Sequence, residues 1–202
     1  CELGVSVVQF DEPVLTEVIF SHHQTRSFMC AALSEKQDFA AELQFAKSLI
    51  TQIFEYARNK NIKTALHVCR GNWSKDESVL LRGPYTSLVD LFESALPDIL
   101  MLEFSTPRAG ELSSLLESKI LRQKCILGLG VINPRSDEVE TVAQIVQRAE
   151  KALNFLPPEQ IWLNPDCGFA TFSNRPLNGF DIIEAKLKVL NEAKLILRER
   201  YV

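Results

Sequence analysis

The 202 residues, 46% hydrophobic and 24% charged, hold enough apolar side chains for a sizeable core and exclude whole-chain disorder, a collagen-like chain or a coiled coil. At a formal net charge of -4 the chain lacks the basic excess of a nucleic-acid binder, and no apolar run approaches the ~20 residues of a membrane-spanning helix. Its start does not read as a secretory signal. Five cysteines are too sparse for a disulfide scaffold, which points to a reducing compartment, the cytoplasm. The chain opens on Cys1 directly in a strand-like pattern and reads as a piece of a longer polypeptide.

Short apolar runs alternate with segments of helical period, the pattern of parallel βα units. Val5–Phe10 is the first predicted strand, followed by a polar connection at Ser21–Gln37. A helix is predicted over Asp38–Lys60, with Phe39, Leu43, Ala46, Leu49, Ile50, Ile53, Phe54 and Ala57 on one face. Thr64–Val68 is the second strand; the polar connection Arg70–Pro84 and a helix at Thr86–Ala95 follow. Then come a strand at Ile99–Leu102, a helix at Glu111–Leu121 and a strand at Cys125–Leu129. A long helix is expected over Asp137–Phe155, stopped by Pro157 and Pro158. The last strand is Ile161–Leu163 and the last helix runs from about Phe180 to Arg200. No linker interrupts this series, so residues 1–202 form one α/β domain, either a doubly wound sheet or part of an eight-stranded barrel. Neither GxGxxG nor GxxxxGK[ST] occurs, which removes support for a nucleotide-binding sheet.

Polar residues collect at the predicted strand ends, where both architectures build their sites. His67 and Cys69, in LHVC, are two apart and leave one face of their strand. Glu103 closes the next strand, Cys167 follows the last, and Asp11 and Glu12 end the first. Two thiolates, an imidazole and a carboxylate form a borderline-soft set that suits Zn²⁺ better than Mg²⁺ or Ca²⁺. Single cysteines and histidines usually serve as buried small residues or satisfied polar groups. Cys30 and Cys125 are read that way, and Cys1 is given no role.

The segments QFDEP, HVC, LEF, GLGVINPRSDEVET and WLNPDCGF, in this order, resemble the C-terminal catalytic zinc barrel of the cobalamin-independent methionine synthase family. The resemblance spans the whole chain, and NPDCG with the upstream HxC is its most specific part. It implies a (β/α)8 TIM-type barrel of which this chain holds the last five βα units, the missing part of the barrel lying before Cys1. It implies a methyltransferase that moves a methyl group from methyltetrahydrofolate with a polyglutamate tail to the zinc-activated thiol of homocysteine. His67, Cys69, Glu103 and Cys167 are the implied zinc ligands, with Glu103 the one loosened when substrate sulfur enters, and Asp11 is the implied holder of the substrate amino group. Two alternatives remain beside it: a related alkyltransferase using another thiol or methyl donor, of the coenzyme M or corrinoid type, and a non-catalytic zinc-binding remnant.

The chain departs from the family at Arg135, which stands where long members have a proton-handling histidine. A guanidinium cannot act as a general acid, so Arg135 is read either as a binder of a carboxylate or folate tail or as a solvated loop residue. Asn164 and Asp166 flank Cys167 and suit orienting hydrogen bonds. Arg108 reads as a surface arginine at a helix start, with an anion-facing role as the alternative. His22 and His23 are expected in solvent, and Trp73 and Trp162 in packing. Glu111, Glu117, Arg148, Glu150 and Lys151 are read as outer helix faces.

Overall fold

A computed structural model of the chain describes residues 3–20 and 38–202. Cys1, His22, His23, Cys30 and the Ser21–Gln37 connection lie outside the described residues. Five strands, β1 (Val7–Asp11), β2 (Lys63–Val68), β3 (Ile99–Glu103), β4 (Ile126–Ile132) and β5 (Ile161–Pro165), form one parallel sheet in chain order. Between and after them run α1 (Val14–Phe20), α2 (Phe39–Arg58), α3 (Val89–Ala95), α4 (Leu112–Leu116), α5 (Lys119–Lys124), α6 (Val142–Leu153) and α7 (Phe180–Tyr201). The strand order decides between the two architectures. A doubly wound sheet reverses its order at a switch point, whereas this one steps from neighbour to neighbour as a barrel wall does. Among the described residues no helix is long and apolar enough to cross a membrane.

The pleat divides the sheet chemically. On one face Leu66, Val68, Leu100, Leu102, Leu127, Leu129 and Val131 are buried against Ile50 and Phe54 of α2, Leu91 and Phe92 of α3, and Ile145 and Val146 of α6. In-register partners share a face, so the opposite face collects Asp11 and His67 from β1 and β2, Met101 and Glu103 from β3, Gly128 and Gly130 from β4, and Trp162 and Asn164 from β5. Among the described residues Trp162 is 45% exposed on that face, with β4 as the neighbour of its strand. Trp73 does pack: its ring lies against Gly71, where an added Cβ would meet it at 2.0 Å.

Several helix boundaries differ from the periodicity. Val14–Phe20 is a helix although its valines, threonine and isoleucine favour strands. Tertiary contacts hold it: Leu15 and Val18 are buried, and the Thr16 hydroxyl donates to the Cys69 carbonyl at 2.6 Å. The predicted Glu111–Leu121 helix is two short ones, because the Ser118 side chain caps α5 by accepting from the Leu121 amide. On α2 the buried residues are Ile50, Phe54 and Ala57, while Leu49 and Ile53 are 43% and 42% exposed. The apolar stripe is thus wider than the surface it packs on.

The long helix begins later than expected. Thr141 and Gln144 form a capping box that starts α6 at Val142, and residues 137–140 are loop. This loop is tied down from both sides. Lys186 of α7, with no exposed side-chain surface, donates to the Glu138 carbonyl and to Glu140 Oε2 (2.9 Å), and Glu140 Oε1 accepts from the Asn133 amide at 2.7 Å. Asp137 meanwhile accepts from Lys75 and from Asn178. Replacing Lys186 with Met leaves the largely buried Glu140 without its cation, so a loss of about 3–5 kcal/mol is expected in denaturant unfolding. Adding Glu140→Gln should recover part of that loss, whereas independent losses would show that the two groups are not coupled.

Candidate metal centre

His67 is the penultimate residue of β2, Cys69 lies just beyond its end, and Cys167 is two residues past β5. Their ligand atoms all lie within 4.8 Å of one another. His67 Nδ1 is 2.9 Å from the Met101 carbonyl, which can only accept, so Nδ1 carries the proton. Nε2 is then the nitrogen left for another ligand, buried and without a hydrogen-bond partner. A buried imidazole nitrogen beside two free cysteine sulfurs, with the ring oriented by a backbone carbonyl, fits Zn²⁺ in ligand type and number for a site with an open position.

The three groups share their protons unevenly when no metal is present. The Cys167 thiol beside Cys69 holds the Cys69 pKa well below the usual thiol value against the effect of burial, and the His67 charge adds to it. The same contact, with burial, pushes Cys167 up. At His67 burial works against the imidazolium, but the Cys69 thiolate and the Met101 carbonyl outweigh it and lift the pKa to about 9. Zn²⁺ needs two thiolates and a neutral imidazole, and with His67 and Cys167 both pushed up, binding should release protons. Calorimetry in buffers of different ionisation enthalpy measures their number. Zinc affinity should weaken on acidification, since protons then compete more strongly at all three donors; a pH-independent affinity would contradict the assignment.

Glu103, the fourth residue of the implied ligand set, is not within this cluster. It is 2% exposed, and both oxygens are occupied. Oε1 accepts from Arg135 Nη1 (3.2 Å), and Oε2 accepts from Arg108 Nη2 (3.2 Å) and the Arg70 amide (3.2 Å). Burial and the nearby Asp166 push its pKa up to about 7 against the pull of Arg135 and Arg108. Arg135 is no solvated loop arginine: its side chain is fully enclosed and pairs with Asp166 (2.8 Å) as well as Glu103 and Glu77. Arg108 is likewise buried, at 7% exposure, and not on the surface. Both corrections have one cause, two buried carboxylates that need cations within reach.

Asp166 takes the orienting role its position suggests. Oδ1 accepts from the Phe104 and Ser105 amides (3.1 and 2.9 Å) and Oδ2 from the Ser105 hydroxyl, which fastens the residue before Cys167 to the end of β3. Gly130 makes this possible, since a Cβ there would lie 2.4 Å from Asp166 Oδ1. Asn164 instead donates to the Pro165 carbonyl. Asp11, in register with His67 and so on the same face, is exposed and accepts from Gln9 Nε2 at 2.8 Å. Cys125 is buried, donates to the Pro97 carbonyl, and burial pushes its pKa up to about 12.

Four further residues, outside any motif, support the site. The Tyr85 hydroxyl donates to the Val68 carbonyl (2.8 Å) and accepts from the Glu103 amide (3.0 Å), bridging β2 and β3 where the site begins. Arg70 stacks on the Tyr85 ring, 3.7 Å from its centroid, and donates to the Gly83 carbonyl. Asn72 donates to the Gly168 carbonyl, and Thr171 donates to the Asn72 carbonyl, which joins the two cysteine loops. Only Arg70, beside Cys69, has a position that hints at its role.

A sequential parallel sheet with an imidazole and two thiols converging at its C-terminal edge defines an α/β domain of barrel type with a candidate metal site. Residues 2–178 match the family described as cobalamin-independent synthase, catalytic domain, and the chain belongs to that family. It is 28% identical to a methionine synthase of Sulfolobus acidocaldarius over 198 residues, covering 98% of this chain and 44% of the relative. A methionine synthase of Pyrococcus abyssi is 32% identical over 114 residues, 56% of this chain and 29% of the relative. The structure of a B12-independent methionine synthase from Shewanella sp. W3-18-1, in complex with selenomethionine, aligns at TM-score 0.68 and 19% identity. That alignment covers 98% of this chain and 50% of the other, so the five-stranded sheet is part of a TIM-type barrel. The chain spans less than half the length of each of the two methionine synthase sequences it matches here.

Proposed function

We propose that this chain carries the metal-binding part of a zinc-dependent methyltransferase that moves a methyl group from methyltetrahydrofolate, with a polyglutamate tail, to the thiol of homocysteine. The observation that carries this reading is the unpartnered His67 Nε2 facing Cys69 and Cys167 in a chain of this family. Zinc supplies the acidity that turns a bound thiol into a thiolate at neutral pH. His67, Cys69 and Cys167 hold the ion, and two thiolate donors keep it electron-rich, which favours a nucleophilic substrate sulfur. Asp11 accepts the substrate ammonium from the same sheet face as His67. Arg135 takes no part in proton transfer, because its guanidinium is enclosed and ion-paired. Residues 1–202 are then the C-terminal portion of a single (β/α)8 domain whose folate contacts come from upstream. Two reduced cysteines as ligands suit the cytoplasm.

Elemental analysis should find one zinc per polypeptide, lost in Cys69→Ser and in Cys167→Ser; undiminished zinc in both variants would falsify the metal assignment. Thiol binding tests the substrate. Wild-type protein should prefer homocysteine over an amine-free thiol such as coenzyme M by at least about tenfold, the worth of one charged hydrogen bond. Asp11→Asn should reduce that preference. Equal binding of both thiols by the wild type would favour an alkyltransferase acting on another thiol.

A further inference from the structure

The two cysteine sulfurs of the site come from loops far apart in the chain, and one side chain ties those loops together. Cys69 follows β2 and Cys167 follows β5, with β3 and β4 standing between the two strands. No ladder hydrogen bond can therefore fix one loop against the other. Asn72, three residues after Cys69, supplies the fastening. Its side-chain amide donates to the carbonyl of Gly168, the residue after Cys167, at 2.5 Å and across 96 positions of the chain. Its own carbonyl accepts from the Thr171 hydroxyl at 2.5 Å, so side chain and backbone both grip the Cys167 loop. We infer that Asn72 is a positioning residue that sets the separation of the Cys69 and Cys167 sulfurs, and so the geometry of the thiolate pair offered to the ion.

The local sequence aims this residue. Gly71 has a φ of +99°, which L side chains rarely adopt, and the Trp73 ring occupies the place of its missing Cβ. The chain can thus bend directly after Cys69 and set Asn72, itself buried, against Gly168. The amides on either side of this contact reach the sulfurs: that of Gly71 hydrogen-bonds Cys69 and that of Gly168 hydrogen-bonds Cys167. In the zinc reading above, on which this rests, two sulfurs each about 2.3 Å from one tetrahedral ion must keep a fixed spacing. Asp166 anchors the Cys167 loop to the end of β3, and Asn72 ties the same loop to the one that carries Cys69. Hydrogen bonds that orient metal ligands in this way are typically worth about 10–100-fold in metal affinity.

The test uses the full natural polypeptide, with Zn²⁺ and Co²⁺ as probes. Zinc affinity is measured by competition with a chromophoric chelator, and the absorption spectrum of the Co²⁺-substituted protein reports the ligand geometry. Denaturant unfolding of the metal-free protein reports stability separately. Asn72→Leu keeps the branched shape of the side chain and removes its donor. This variant should still bind one zinc per chain, about tenfold more weakly than wild type, with a shifted Co²⁺ spectrum. Wild-type zinc affinity and a wild-type Co²⁺ spectrum, whether or not stability falls, would overturn the inference, because Asn72 would then only hold the loop. Should Asn72→Leu fail to fold, Thr171→Val decides. That variant leaves the Asn72 side chain in place and should weaken zinc binding in the same direction; an affinity and spectrum equal to wild type would overturn the inference there. Wild-type protein that binds no zinc overturns the zinc reading with it, whereas zinc bound equally by wild type and variant overturns this inference alone.

Discussion

Two carboxylates, Glu103 and Asp166, sit 2% and 1% exposed at the C-terminal edge of the sheet, and a buried carboxylate stays ionised only with compensating charge and hydrogen bonds. Arg135 lies between them and satisfies both, with Arg108 on the far side of Glu103. Much else at this edge follows from that requirement. Asp166 can stay buried only because the Phe104 and Ser105 amides and the Ser105 hydroxyl also donate to it. Those bonds bring the residue before Cys167 against the end of β3, and so fix where the Cys167 sulfur starts from. The arginine cluster thereby sets the position of one of the three donors without touching it.

The loop that delivers Arg135 has its own supports. Asn133 and Arg135 are held by a side chain-to-amide bond, Glu140 reaches back to the Asn133 amide, and Lys186 of α7 secures Glu140. A helix through residues 137–141, as the apolar periodicity suggests, would remove these backbone groups from their partners. The capping box at Thr141 and Gln144 stops the helix from extending into them. The start of α6 and the placement of Arg135 are therefore one structural decision, made by local capping and long-range ion pairing together.

How much of this the sequence shows depends on the range of the interaction. All five strands, the HxC pair at one strand end and Cys167 at another are legible, because strand runs and two-residue spacing are local signals. The Thr141–Gln144 box is also local and was readable, but the longer apolar period masks it. Burial of Arg135 and Arg108 is not legible. Arg135 meets Glu103 across 32 positions and Asp166 across 31, and a lone loop arginine looks the same whether it is solvated or enclosed. The α2 stripe fails for another reason: periodicity reports which residues share a helix face, not how much of that face a neighbour covers. Leu49 and Ile53 obey the period and remain exposed.

Besides their contacts with one another, the three donors are each placed by groups outside their own set. His67 is oriented by a carbonyl of β3, Cys69 by the β2 strand end onto which Thr16 and Tyr85 bond, and Cys167 by the anchoring of Asp166. β3 and the residues just after it serve both His67 and Asp166, and the parallel register brings these supports to one edge. The three side chains are thus ordered by folding itself, the preorganisation that a metal site requires. What the supports do not provide is a partner for His67 Nε2. The other ring nitrogen, Nδ1, is used, and Nε2 is left beside the Cys69 and Cys167 sulfurs.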